Sequence, residues 1–420
     1  MREGWKEYKI EDIALVGDGA HASIKRQETG VMYLTSKNFD VNGLKLDKVD
    51  YISEIDFIKY FNSNSKALTK PNYNDVVLSI IGSMGAPYVV KKNDDFGLSS
   101  SVSILRPNQE IILPNYLYYW IKSDFFQKSI DNIKSGVAQS FLSLGMIKSL
   151  PCNAPSLKIQ RKIAAILSSY DDLIQNNLKR IKLLEEKAQL TYEEWFVKMR
   201  FPGYETAKFD EVMGLPEGWS EKTLEYLCDR ITDGTHDSPK QVENGIKLIT
   251  GKHINDGFIN FETAYLISEI DHEKIKKRSG LSKGDLLFSN IGTLGSIGVV
   301  TEDFEYSCKN VVIFKKKKGF DYFLYCYLSN PNTKNKLDNQ AAGVAQKFYS
   351  LSFIRGYKDM FCNEELVIRF NGVMTPLFNL KYSLNNQNRL LKEARDILLP
   401  RLMSGMIDVE ELQIETLQTT

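Results

Sequence analysis

Two stretches of the chain carry apolar residues at heptad spacing. With Ile163 taken as position a, the a/d series runs Ile163, Leu167, Tyr170, Ile174, Asn177, Ile181, Leu184, Ala188, Thr191 and Trp195. A second series, Val373, Leu377, Leu380, Leu384, Gln387, Leu391, Ala394, Leu398 and Arg401, follows at an offset of 210. The positions between are mostly Lys, Arg, Glu, Asn and Gln, so both stretches are predicted as long amphipathic helices. Asn177 and Gln387 interrupt the two series at the same a position. They are candidates for fixing helix register, and the alternative is that each amide bonds only locally.

Elsewhere the pattern changes. Short β-rich runs, such as Val76 to Ile81 and Val311 to Phe314, alternate with Gly, Asn and Asp turns. Each set has one aromatic helix-like stretch, Tyr116 to Phe126 or Tyr322 to Ser329, which suggests compact α/β units. These regions are copies of one another. Trp5–Ile13 matches Trp219–Leu227, Asp18–Ser23 matches Asp233–Ser238, and Leu34–Lys37 matches Ile249–Lys252. Asp75–Gly85 likewise matches Asp285–Gly295, and Gly136–Leu144 matches Gly343–Leu351.

The fold expected is therefore a tandem duplication of an α/β domain plus a long helix. The first globular domain covers 1–152, its helix 153–202 and a linker 203–214; the second domain covers 215–358, its helix 359–412 and a tail 413–420. Each domain precedes its own helix, and a short linker then favours an antiparallel coiled coil over a parallel one. A parallel pair would make the linker retrace on the order of 50 Å of helix. One heptad added to each helix should then lengthen the distance between whatever the two domains bind.

Composition adds mainly exclusions. Lys+Arg 54 against Asp+Glu 53 gives a net charge of +1, so bulk charge does not argue for nucleic acid. No apolar run approaches the roughly 20 residues of a membrane helix. The start, Met1-Arg-Glu-Gly-Trp, has no signal-peptide pattern, so a cytoplasmic location is expected. Five scattered cysteines fit reduced thiols. Four histidines show no ligand spacing, so no metal site is expected. The chain has no Pro-Pro dipeptide, which removes the Asn/Asp-Pro-Pro-aromatic loop of base methyltransferases, and no Gly-Lys-Ser/Thr phosphate loop. No catalytic residue is expected, and the weight shifts to recognition.

Taken together, these residues resemble the specificity subunit of a type I restriction-modification system. The sharpest match is Gln160-Arg-Lys-Ile-Ala-Ala-Ile-Leu-Ser-Ser-Tyr-Asp-Asp-Leu-Ile174 through Trp195-Phe196, which follows that family's central helix. Gly284-Asp-Leu-Leu-Phe-Ser289 and the two Gly-Val-Ala-Gln blocks are also typical of its target-recognition domains. The second helix departs from the pattern, reading Arg369-Phe-Asn-Gly-Val373 where Gln-Arg-Lys-Ile is usual. The resemblance implies a non-catalytic DNA-reading subunit that binds double-stranded DNA and recruits two modification (methyltransferase) subunits and restriction (translocase/endonuclease) subunits. It implies no cofactor on this chain, with S-adenosylmethionine and ATP/Mg arriving through those partners. Two unlike readers should recognise a bipartite, asymmetric site. A related restriction or methylation system with another catalytic partner, and a helical scaffold that binds no DNA, are the alternatives.

Phosphate contacts carry no sequence information, whereas base contacts do. Residues shared by the halves, His21/His236, Lys25/Lys240, Lys37/Lys252 and Gln139/Gln346, are thus candidates for positioning the DNA backbone. Neighbours that differ, Asn38/His253, Ser83/Thr293 and Ser140/Lys347, are candidates for base reading. The shared residues could instead only close turns. The run Lys315 to Lys318 is taken as a solvated loop, and Trp5 and Trp219 as core anchors.

Overall fold

The computed structural model describes residues 4–40, 43–62, 67–136, 141–255, 257–340 and 348–413. The chain divides into two compact units, Met1–Asn176 with Asn388–Thr420, and Asn177–Gln387. No helix among the described residues is long and apolar enough to cross a membrane.

The first unit is organised by the run Val76–Ser79, whose four residues are all buried, as an inner strand covered on both faces requires. It lies in a four-stranded antiparallel sheet ordered Ala14–Asp18, Val102–Pro107, Val76–Ser79, Pro87–Val89. A three-stranded sheet, Asp50–Ile52, Val31–Leu34, Phe96–Leu98, has its last two strands parallel. Lys6–Lys9 pairs with Pro151–Ala154 ahead of the first long helix.

The second unit repeats this order. Its four-stranded sheet runs Cys228–Asp233, Val311–Lys316, Leu286–Ser289, Ile297–Val299. Tyr265–Ile267, Ile246–Ile249 and Ser307–Cys308 form the three-stranded sheet, and Ser220–Thr223 pairs with Lys358–Phe361. The duplication is thus present in the topology. Trp5 and Trp219 are partly buried against the cores of their units.

The long helices are Leu157–Tyr192, which ends in a wide π turn over Glu193–Val197, and Glu364–Met403. In the first unit Ile163 and Leu167, from the start of the first helix, share a core with Leu402 and Met403, from the end of the second. In the second unit Ala188, Tyr192, Trp195 and Phe196 pack with Phe370, Met374 and Phe378. Phe370 meets Phe196 and Trp195 edge-on, with centroids 5.0 and 5.6 Å apart, the geometry ring quadrupoles favour. Within each unit the pairing is therefore antiparallel, as expected.

Several boundaries differ from those read in the sequence. Neither helix starts at 153 or 359, because those positions lie in the strands Pro151–Ala154 and Lys358–Phe361. The first helix starts after Pro155, which cannot donate to a ladder. The second starts after Asn363, whose Oδ1 accepts from Leu366 N at 3.0 Å as a cap. It ends at Met403, short of 412, with Gly405 in the left-handed region at φ 71°. The aromatic stretch at 116–126 is two helices, Pro114–Lys122 and Asp124–Gly136, broken at Ser123. Lys315 and Lys316 lie in a strand, not a loop. Lys315 binds Asp285, Lys316 binds Asp321, and Lys317 lies 3.7 Å from Glu364, so most of that run is already paired.

The seam of the second helix also differs. In the first helix every expected a/d position is buried or half-buried. In the second, Leu377, Leu384, Leu391 and Leu398 face inward as expected, but Val373, Leu380, Gln387 and Arg401 are exposed. The buried or half-buried row lies one residue on, at Met374, Lys381, Asn388, Arg395 and Leu402. Three of those five are polar, and an apolar pattern passes over them. Asn177 is buried, and its Nδ2 donates to Gln387 Oε1 over a long 3.5 Å, but at this level of the second helix the buried amide is Asn388, not Gln387.

Candidate nucleic-acid interface

In each unit four of the five repeated blocks converge on one cluster of loops, and the strand ends explain why. In the first unit the hub is Ser99–Ser101, between the strands Phe96–Leu98 and Val102–Pro107. Ala20 N donates to Leu98 O at 2.8 Å and Ser100 N to Ala20 O at 3.2 Å, which seats the Asp18–His21 turn. Ser36 N donates to Ser101 Oγ at 2.9 Å, which seats the Thr35–Asn38 turn. Ile80 N donates to Ser101 O, and Leu142 N to Ile80 O, both at 3.0 Å. Glycine is needed at 19, because a Cβ there would lie 2.1 Å from Leu98 O.

The second unit builds the same cluster on Lys309 and Asn310. Thr235 N donates to Cys308 O at 3.0 Å, Asn310 N to Thr235 O at 3.1 Å, and Lys309 N to Ile249 O at 2.9 Å. Thr293 Oγ1 donates to Gly251 O at 3.1 Å, and Tyr349 N to Asn290 O at 3.0 Å. A Cβ on Gly234 would meet Cys308 O at 2.3 Å.

The expected site residues fall into three groups. His21, Lys37 and Ser83 in the first unit, and His236, Lys252 and Thr293 in the second, are exposed on the turns that the hub gathers. His21 Nε2 bonds Asp18 Oδ2 at 2.8 Å, and His236 Nε2 bonds Asp233 Oδ2 at 2.7 Å. His236 Nδ1 also lies 3.0 Å from Asn310 Oδ1, so both nitrogens of that ring serve to hold it. Lys25 and Lys240 are exposed four residues beyond the histidines. None of Lys25, Lys37, Lys240 and Lys252 forms an ion pair among the described residues, which leaves four ammonium groups available to an anion.

Asn38 and His253 are not placed to read bases. They are 4% and 2% exposed and close their own turns. Asn38 Oδ1 accepts from Thr35 N at 3.0 Å, and its Nδ2 donates to Lys45 O at 3.1 Å and Lys48 O at 2.9 Å. His253 Nδ1 accepts from Thr250 N at 2.8 Å. Two unlike side chains do the same local work at the third position of a 3-10 turn. Gln139, Ser140, Gln346 and Lys347 lie outside the described residues.

Three residues of the second cluster escaped the sequence reading. Lys309 donates to Ser238 Oγ, and Asn310 holds a left-handed φ of 51°, which Asn tolerates better than most residues. Arg278 donates to the buried Asp233 at 2.6 Å, at the base of the His236 turn. The recurrence of this loop between matched strands was the available signal. Serines in one copy and Lys-Asn in the other hid it.

Burial pushes the Cys308 thiol up to about 12, which keeps it protonated and poorly nucleophilic. Away from the hub, His272, Glu273 and Glu305 bring possible ligand atoms within 4.8 Å of one another, a cluster that sequence spacing did not reveal. The Lys276 ammonium sits among them, 2.5 Å from Glu305 and 3.7 Å from Glu273. That hydrogen bond holds the Glu305 carboxyl below its ordinary range. A divalent ion there would have to displace a cation already in place.

The chain thus carries two copies of one loop cluster, each with exposed lysines that form no ion pair among the described residues, and two long helices; comparison with known proteins adds a family to this picture. Residues 2–186 match the model of the Type I restriction modification DNA specificity domain. The whole chain is similar to the Type I restriction enzyme MjaIX specificity subunit of Methanocaldococcus jannaschii, 24% identical over 97% of this chain and 94% of that one. It is also similar to the HindI specificity subunit of Haemophilus influenzae, 23% identical over 96% and 99%. The fold matches the crystal structure of a type I restriction-modification S subunit from M. genitalium, with a TM-score of 0.55 and 16% identity over 95% of this chain and 96% of that one.

Proposed function

We propose that this chain is the DNA-recognition subunit of a type I restriction-modification complex, in which each loop cluster reads one half of a bipartite, asymmetric site. The observation that carries this reading is the double construction of one cluster. The scaffold of strands, Gly19/Gly234 and His–Asp pairs is held constant, while the half-buried hub residues change from serines to Lys-Asn. Lys37, Lys252 and His21 would contact phosphates and set orientation, while His236 holds its turn. Ser83, Thr293 and Asn310 would meet base edges. The chain itself does no chemistry. Modification subunits bring S-adenosylmethionine, and restriction subunits bring ATP/Mg.

Methylation-sensitive sequencing of DNA from cells carrying this chain and its methyltransferase partner tests the proposal. Two unlike short half-sites at one fixed spacing are expected. A single contiguous motif, or no sequence-specific methylation, would contradict it and favour the scaffold alternative.

A further inference from the structure

The seam between the two long helices carries charge, and the charge runs one way. In the first unit Arg395 of the second helix, its side chain 14% exposed, lies 2.6 Å from Asp171 of the first. Tyr119 donates to the other Asp171 oxygen at 2.8 Å. In the second unit Lys381 of the second helix, its side chain 2% exposed, lies 2.6 Å from Glu185 of the first. The rings of Phe258, Tyr325 and Phe378 surround that ammonium at 4.6, 5.0 and 5.7 Å. Among the described residues these are the two ion pairs that join the helices, and in both the acid comes from the first helix and the base from the second.

A buried charge that loses its partner costs far more than an exposed one. A first helix laid against another first helix would bring Asp171 and Glu185 to a seam with no base beside them, since Lys179, Arg180, Lys182 and Lys187 face solvent and the half-buried Lys162 lies more than two turns from Asp171, bonded to Val409 O and Glu410 O. Two second helices would leave Lys381 without an acid, since Glu393 is exposed, and Arg395 with only the Asp396 of its own helix, 2.8 Å away. The penalty depends on which charges each helix owns. A single buried amide such as Asn177 lacks this property, because it can pair with its own copy.

We propose that this polarity is a partner code: the first helix accepts a second helix and rejects another first helix, so the chain closes on itself and does not pair with copies through like helices. The surface fits one kind of partner, an amphipathic helix with bases in its seam. The proposal does not depend on DNA binding.

The test uses the full chain and the pair with the simpler surroundings. Asp171→Arg and Arg395→Asp each place like charges in the seam, and each should lower the melting temperature by roughly 5–10 °C. The double variant should recover at least half of that loss. When the two single variants are co-expressed with one of them tagged, opposite charges meet only between chains. A complex of twice the chain mass containing both should then be recovered, whereas tagged and untagged wild type should stay separate. Arg395→Met fills the space without charge and should lose less than Arg395→Asp. No recovery in the double variant, no mixed complex, or equal losses for Met and Asp at 395 would each overturn the proposal.

Discussion

In the first unit three serines, Ser99–Ser101, fill the place that Lys309 and Asn310 take in the second. The strands on either side, the turns they hold and the glycines that let those turns approach are the same in both. The side chains that differ at the buried positions, Asn38 and His253, both close a 3-10 turn. Difference between the copies is therefore not enough to mark a reader of sequence. A position must differ and also reach solvent, as Ser83/Thr293 do fully and the two half-buried hubs do in part. The hubs also differ in charge, so the second cluster should hold DNA phosphates more firmly than the first.

The largest effect that would sharpen this contrast is at the buried pair. Asn38→Ala removes four hydrogen bonds, three of them to backbone groups that are left unsatisfied, and should destabilise the first unit by about 2–4 kcal/mol. His253→Ala removes one bond from Thr250 N and should cost the second unit about 1–2 kcal/mol. Urea denaturation of the full chain checks both, and methylation by folded His253→Ala protein should keep the wild-type motif. A changed motif would return His253 to the readers.

A smaller effect is expected at the hub. Lys309→Ala should weaken DNA binding several-fold, and the slope of log affinity against log salt should become shallower by about 0.9 for the one phosphate lost. Ser100→Lys in the first unit should shift both quantities the other way. Fluorescence anisotropy over a salt series reads both, and an unchanged slope in either variant would break the comparison between the clusters.

How much of this was legible in the sequence depends on what each residue does. The duplication showed because Trp5/Trp219, the Asp-Gly turns and the Gly-Asp strand entries recur. The first helix showed its seam because that seam is apolar almost throughout. The second helix hid one row of its seam, because Lys381, Asn388 and Arg395 occupy positions where a hydrophobic pattern expects Leu or Val. Their burial depends on partners such as Glu185 and Asp171, which lie 196 and 224 residues away in sequence. The site was legible in outline, since four of the five matched blocks carry the turns that meet at the hub. It was misread at Asn38 and His253, because a capping side chain and a base-reading one use the same polar groups, and only burial separates them.

The motif methylated by a chain carrying Thr293→Gln with Lys309→Ala tests the central claim most directly. One half-site should change or relax while the other half and the spacing stay as in wild type. A change in both halves together, or in neither, would contradict the assignment of one independent reader to each cluster.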